Sequence, residues 1–202
     1  MFIIFFLLCP LRDNKDQIMK EDLRFKKTEL AIRESVFHLL KNKKSSEITV
    51  AEISRHALLG RGTFYQHYRS IDDLVRTIED EAISHMEKIY DQNAQDKKIE
   101  NVGCLVVYLI EYFEKNRDNI LLLIRNSNGE FTARAVNIFL KKYISCDYKD
   151  TQEKELRQDI IEGTFAICGF VGVINRWMSG EIAFEKKELI ELLNNVLFKI
   201  YK

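Results

Sequence analysis

Apolar residues recur along this chain at three- and four-residue intervals, the spacing that lines one face of an α-helix. From Phe25 onward Leu30, Ile32, Val36, Phe37, Leu39 and Leu40 follow that spacing without Gly or Pro, predicting a first helix. The cluster Lys41-Asn42-Lys43-Lys44 and Ser45-Ser46 ends it. Thr49 and Glu52 then form a T-x-x-E capping box, which predicts a short second helix with Val50, Ile53 and Ala57 inward. Leu58-Leu59-Gly60 reads as a tight turn, and Arg61 to Tyr68 as a third, equally short helix. Ser70 with Asp73 caps a fourth that runs to about Tyr90, its stripe made of Ile71, Leu74, Val75, Ile78, Ala82, Met86 and Ile89. A polar stretch, 91–101, reads as a linker. Helical spacing resumes at about 102–116, 117–126, 130–145, 153–179 and 186–201, with Asn, Gly, Ser and Asp clusters between. The expected fold class is all-α.

Composition agrees with that pattern and narrows it. One Pro and eight Gly in 202 residues are too few turn formers for a many-stranded β-fold, and 46% hydrophobic residues argue against disorder. Lys+Arg and Asp+Glu both total 31, so the net charge is zero and names no partner. The distribution says more: residues 19–70 carry eleven basic and six acidic side chains, residues 71–202 carry 18 and 23. A basic segment of this kind suits a polyanion, although chance clustering accounts for it equally well. Cys9, Cys104, Cys146 and Cys168 are scattered, with no metal-ligand spacing, and read as small core residues of a reducing compartment. No H-E-x-x-H, G-x-S-x-G, phosphate-binding loop or dinucleotide fingerprint occurs, so neither catalysis, a metal nor a cofactor is expected. The opening run MFIIFFLLCP is too short to span a bilayer and lacks the basic start of a secretory signal. Residues 1–18 are left as an unexplained extension, and Met19 is an alternative start.

Two short helices joined by a three-to-four-residue turn are the parts of a helix-turn-helix. The second helix must expose its first turn, because those side chains meet base edges. Here the turn is Gly60-Arg61-Gly62-Thr63. Arg61 can donate two hydrogen bonds to guanine, and Gly62 lets backbone come close to the groove. Phe64 and Tyr68, four apart, should face the core and leave Tyr65, Gln66 and His67 outward. Taken singly, Arg61 is a solvated charge and Tyr65 a surface aromatic; His38 and His85 are ordinary helix residues.

The stretch ITVAEISRHALLGRGTFYQHYRSIDDL resembles the DNA-binding domain of the TetR (AcrR) family of bacterial transcriptional regulators. That family's usual form is a T-x-x-x-I-A-x-x-A core, a turn, a K-G-T-L/F-Y-x-H/Y-F helix and then S-K-x-x-L. The likeness runs over about residues 25–83. It implies that Thr49 touches phosphate, that Arg61, Gly62, Thr63, Tyr65 and Gln66 meet bases or adjacent backbone, and that His67 binds phosphate. Three positions depart from the pattern. Leu58 stands where the turn usually has Gly, Gly60 replaces the usual Ser cap, and Ile71 replaces a phosphate-binding Lys.

The same resemblance implies a C-terminal domain that dimerises and holds a small-molecule pocket. The segment EYFEKNRDNILLLIRNSNGEF also resembles regulators similar to an activator of dihydroxyacetone kinase genes. Small residues at Gly163, Ala166, Gly169 and Gly172 would let a helix pack closely on 153–179, which with 186–201 would form half of a four-helix dimer seam. Packing within one subunit is the alternative. Tyr108, Tyr112, Asn137, Tyr143, Asn175 and Trp177 are polar groups on apolar faces, and any of them could meet an effector, whose identity the sequence does not give. The expected organisation is an extension at 1–19, a three-helix helix-turn-helix domain at 20–83, and a helical dimerisation and ligand domain at 84–202. The expected function is a cytoplasmic, ligand-responsive repressor, not an enzyme, with no membrane partner, bound as a homodimer to a pseudo-palindromic double-stranded DNA operator. The alternatives are a helical protein-interaction or membrane-associated module, and a small-molecule binder with vestigial DNA contacts.

Overall fold

A computed structural model of the chain describes residues 12–93, 99–145 and 153–200. Among these it consists of α-helices and one short 3-10 turn, with no strand. The chain divides into two compact units, Met1–Leu74 and Val75–Lys202, the division falling in the opening turn of a long helix.

The first unit contains α1 (Arg12–Leu40), the 3-10 turn (Ser45–Glu47), α2 (Val50–His56) and α3 (Arg61–His67). Its core is the inner stripe of each helix: Ile32, Val36 and Leu40 from α1, Ile53 from α2, Phe64 from α3, joined by Ile48, Tyr68 and Leu74. Helix α1 begins at Arg12 rather than near Phe25. The residues before Phe25 are polar but include no Gly or Pro, so a helix already nucleated propagates through them. Ser35 is buried without penalty, because its hydroxyl donates to the Ala31 carbonyl at 2.7 Å and accepts from His56 Nδ1 at 3.0 Å.

Helix α4 (Ile71–Asn93) starts on the Ser70–Asp73 cap: Ser70 Oγ accepts the Asp73 N–H at 3.0 Å and Asp73 accepts the Arg69 N–H at 2.8 Å. It runs into the expected linker as far as Asn93, and α5 (Ile99–Lys115) already includes residues 99–101; only 94–98 of that stretch lie outside the described residues. Then follow α6 (Arg117–Asn126), α7 (Glu130–Ser145), α8 (Glu153–Ser179) and α9 (Lys186–Ile200). Ile83, Met86, Val106, Ile110, Leu123, Phe131, Ile174, Met178 and Leu189 fill the second core. Arg117 at the start of α6 donates to the carbonyls of Met178 (2.7 Å) and Trp177 (3.3 Å), the first of which the end of α8 would otherwise leave open. Trp177 Nε1 donates to the Phe184 carbonyl at 3.1 Å.

The small-residue stripe of α8 divides between two faces. A Cβ at Gly163 would collide with the Tyr143 ring, and Ala166 is buried, so both serve packing inside this unit. Gly169 and Gly172 have open space where a Cβ would stand. They share their face with exposed Ile161, Phe165 and Cys168, while Leu192 and Val196 are exposed on α9. The apolar run at the N-terminus, Cys9 and Cys146 lie outside the described residues.

Candidate functional site

The geometry of the first unit is set by caps. Thr49 Oγ1 accepts the Glu52 N–H at 3.3 Å, while the Glu52 carboxylate accepts the Thr49 N–H at 2.9 Å and its hydroxyl at 2.8 Å. The T-x-x-E box read from sequence is therefore present. Lys43 also pairs with Glu52; that hydrogen bond, then those from Thr49, hold the carboxyl at a pKa of about 2 against an ordinary 4.5. The Thr49 hydroxyl proton is thus committed to Glu52.

Helix α2 ends in a reversal in which the Leu59 N–H donates to the Ser54 carbonyl at 2.8 Å and the Leu58 N–H to Arg55 at 3.3 Å. These are the two bonds of a Schellman motif, whose turning residue is left-handed. That residue is Leu58, at φ +57° and 91% exposed. The departure from glycine noted in the sequence is accommodated by strain and not by a different backbone path. Gly60 caps α3 with extended backbone and no side-chain hydrogen bond.

Helix α3 is anchored on one side only. Phe64 and Tyr68 are buried as their spacing predicts. Tyr68 donates to Glu29 (3.1 Å) and accepts from Arg33 Nε (3.0 Å), while Arg33 Nη2 donates to Glu29 (2.8 Å). Burial pushes the Tyr68 phenol up to about 12, so it stays protonated and the three-residue link to α1 persists at neutral pH. The opposite side bears Arg61, Gly62, Tyr65 and Gln66, all exposed, and half-exposed Thr63. A Cβ at Gly62 would meet nothing within 4 Å. Nothing among the described residues therefore demands glycine there. His67 departs from the outward orientation expected for it: its ring stacks on Phe25 of α1 at 3.9 Å, and burial lowers its pKa, an effect Glu29 opposes. Helical spacing gave no sign of Phe25, 42 residues earlier on another helix.

The second unit contains a cavity of about 160 Å³. Met86 and Tyr90 of α4, Phe113 of α5, Phe131, Thr132 and Ala135 of α7, and Ala166, Ile174 and Asn175 of α8 contribute to its wall. Of the polar groups singled out in sequence, Tyr143 and Asn175 line it. Tyr112 instead stacks on His85 at 4.8 Å, Trp177 is bonded to Phe184, and Tyr108 and Asn137 are exposed. Sequence reading missed Glu79, an almost fully buried acid. Arg134 Nη2 donates to it at 2.6 Å, and Nη1 lies 3.1 Å from Asp80 in ion-pair range. Burial raises the Glu79 pKa, an effect Arg134 opposes. Among the described residues no three His, Cys, Asp or Glu side chains converge as a metal site.

Residues 100–199 match a family described as a transcriptional regulator C-terminal region, of TetR type. In fold the chain is similar to a TetR transcriptional regulator from Streptococcus agalactiae 2603V (TM-score 0.59, 21% identity, covering 89% of this chain and 98% of that one). It is similar also to the dihydroxyacetone kinase operon activator DhaS (TM-score 0.55, 16% identity, 85% and 94% covered). A third likeness is to the fatty acid degradation regulator FadR from Bacillus halodurans (TM-score 0.58, 14% identity, 86% and 93% covered). No curated protein matches the chain in sequence.

Proposed function

This chain belongs to the TetR family of transcriptional regulators, and from that premise we propose that it is a cytoplasmic repressor that binds an operator as a homodimer and releases it on taking up a small molecule. The observation that carries the reading is the outer face of α3, where Arg61, Gly62, Tyr65 and Gln66 are exposed on a helix whose other side is fully engaged. A glycine with no internal reason to be glycine makes room for something external, and a base edge in the major groove fits that space. Arg61 reads a guanine, Thr63, Tyr65 and Gln66 meet neighbouring bases or backbone, and Thr49 and His67 contact phosphate. The Thr49 contact competes with Glu52 for one hydroxyl proton, and burial opposes charging of the His67 ring, so both contacts serve to position the helix.

A second copy of the chain is the partner that the exposed apolar faces of α8 and α9 support. Pairing there removes Ile161, Phe165, Leu192 and Val196 from water and gives the operator two α3 helices, which must enter successive major grooves about 34–36 Å apart. A second reading, membrane association, is favoured by one observation: Arg157–Ser179 is long and apolar enough to cross a bilayer. The burial of Ala166, Ile174, Trp177 and Met178 within the unit supports the first reading over it.

The deciding experiment is a gel shift on the DNA upstream of the chain's own gene, beside flotation with phospholipid vesicles. Retardation at a pseudo-palindrome is expected, and vesicle binding without retardation would overturn the proposal. Two variants assign roles. Arg61→Ala should relax preference at one operator position and cost about 1–3 kcal/mol. Gly62→Ala should leave the fold as stable or up to about 1 kcal/mol more so, while weakening operator binding; unchanged binding would remove Gly62 from the interface.

A further inference from the structure

Among the described residues, the wall of the cavity in the second unit contains no charged side chain. Its polar groups are two tyrosines, Tyr90 and Tyr143, the Thr132 hydroxyl and the Asn175 carboxamide. Both tyrosines have interactions within the chain, whereas neither the Asn175 carboxamide nor the smaller Thr132 hydroxyl meets a hydrogen-bond partner among the described residues. An apolar void near this size, about 150 Å³, stays dry and accepts a single-ring hydrocarbon. A carboxylate or ammonium carried into it would lose its hydration and find no opposite charge.

The cations nearest along α7 to the wall residues are not available to supply one. Arg134 is held by Glu79 and Asp80, and Lys142 by Asp91 at 2.7 Å and Glu87 at 3.5 Å. These pairs also fix the spacing of two walls. Residues 79 and 87 on α4 pair with 134 and 142 on α7, an interval of eight on each helix or about 12 Å. Met86 on one helix and Ala135 and Phe139 on the other fall inside that interval and line the cavity.

Resting on the reading of the chain as an effector-responsive regulator, we propose that this cavity is the effector site and takes an uncharged molecule of single-ring or short-chain size carrying one hydrogen-bonding group, which Asn175 receives. Three para-ethyl single-ring probes of graded polarity test it by isothermal titration: ethylbenzene, para-ethylphenol and para-ethylbenzoate. The phenol is expected to bind one per chain, ethylbenzene more weakly, and the benzoate on the order of a hundredfold more weakly than the phenol. Benzoate binding as tight as the phenol, or no binding by any of the three, overturns the proposal.

Ala166→Phe fills the cavity and should abolish binding of the phenol; Ala135→Leu serves the same purpose if circular dichroism finds the first variant misfolded. Undiminished binding in a folded filled variant places the site elsewhere and overturns the proposal. Asn175→Leu should erase the advantage of the phenol over ethylbenzene, and a retained advantage removes Asn175 from the role. The two readings fail separately. A probe that binds without releasing DNA leaves the ligand class standing and removes effector control, whereas operator binding with none of the probes bound does the reverse.

Discussion

Leu58 is strained and fully solvated at once, a combination with no internal benefit. The same two reversal bonds end α8, where the Glu181 N–H reaches the Arg176 carbonyl at 2.9 Å and the Gly180 N–H reaches Trp177 at 3.2 Å. There the left-handed residue is Gly180, at φ +81°. A branched side chain in that conformation costs about 1–2 kcal/mol, and glycine offsets part of that gain by loosening the unfolded chain. Leu58→Gly is therefore expected to raise stability by about 0.5–1 kcal/mol, read as a higher urea midpoint at unchanged slope. An unchanged or lower midpoint would mean that the Leu58 side chain has a partner that its exposure conceals.

At the scale of elements, much of the fold is legible in the sequence because starts and stops are local. Thr49 with Glu52, Ser70 with Asp73, and the breaks before Arg117, Glu130 and Lys186 are read from adjacent residues, and the helices begin there. The start of α1 is not legible, since apolar spacing begins at Phe25 while backbone propagation needs only the absence of a breaker. Long-range pairs are not legible either. Glu79 lies in an apolar stripe that gives no hint of Arg134, 55 residues on. Gly163 reads as a contact for another helix until the Tyr143 ring is found against it. The exposed half of α3 follows from the spacing of Phe64 and Tyr68, but the stack of His67 on Phe25 does not. The cavity is invisible in sequence because its wall has the composition of the core. The Arg134–Glu79 pair makes a prediction of its own. Arg134→Met leaves a buried carboxylate without its cation and should cost about 2–4 kcal/mol. Adding Glu79→Leu removes that carboxylate and should restore most of the loss, and equal urea midpoints for single and double variants would show the pair to be unimportant.

For the whole molecule the proposed dimer matters most, because one recognition helix reads too few base pairs to select one site. Gly169 has open space around it, so Gly169→Arg is compatible with the folded subunit. On pairing, the same arginine would be driven into the seam. The expected result is a folded monomer by circular dichroism and sedimentation, with operator affinity reduced and independent of the palindrome's second half. A folded Gly169→Arg dimer binding as tightly as the parent protein would move the seam off this face.

One feature of that face supplies its own reporter. Cys168 is exposed beside Gly169, and Cys104 is exposed on α5. A thiol on the proposed seam is open to an alkylating reagent in the separated subunit and screened in the pair. Its modification rate should therefore fall as protein concentration rises, while the rate at Cys104 supplies the reference within the same sample. Peptide mass mapping of the two labels would turn the association equilibrium into a ratio of two reaction rates, with no substitution in the chain at all.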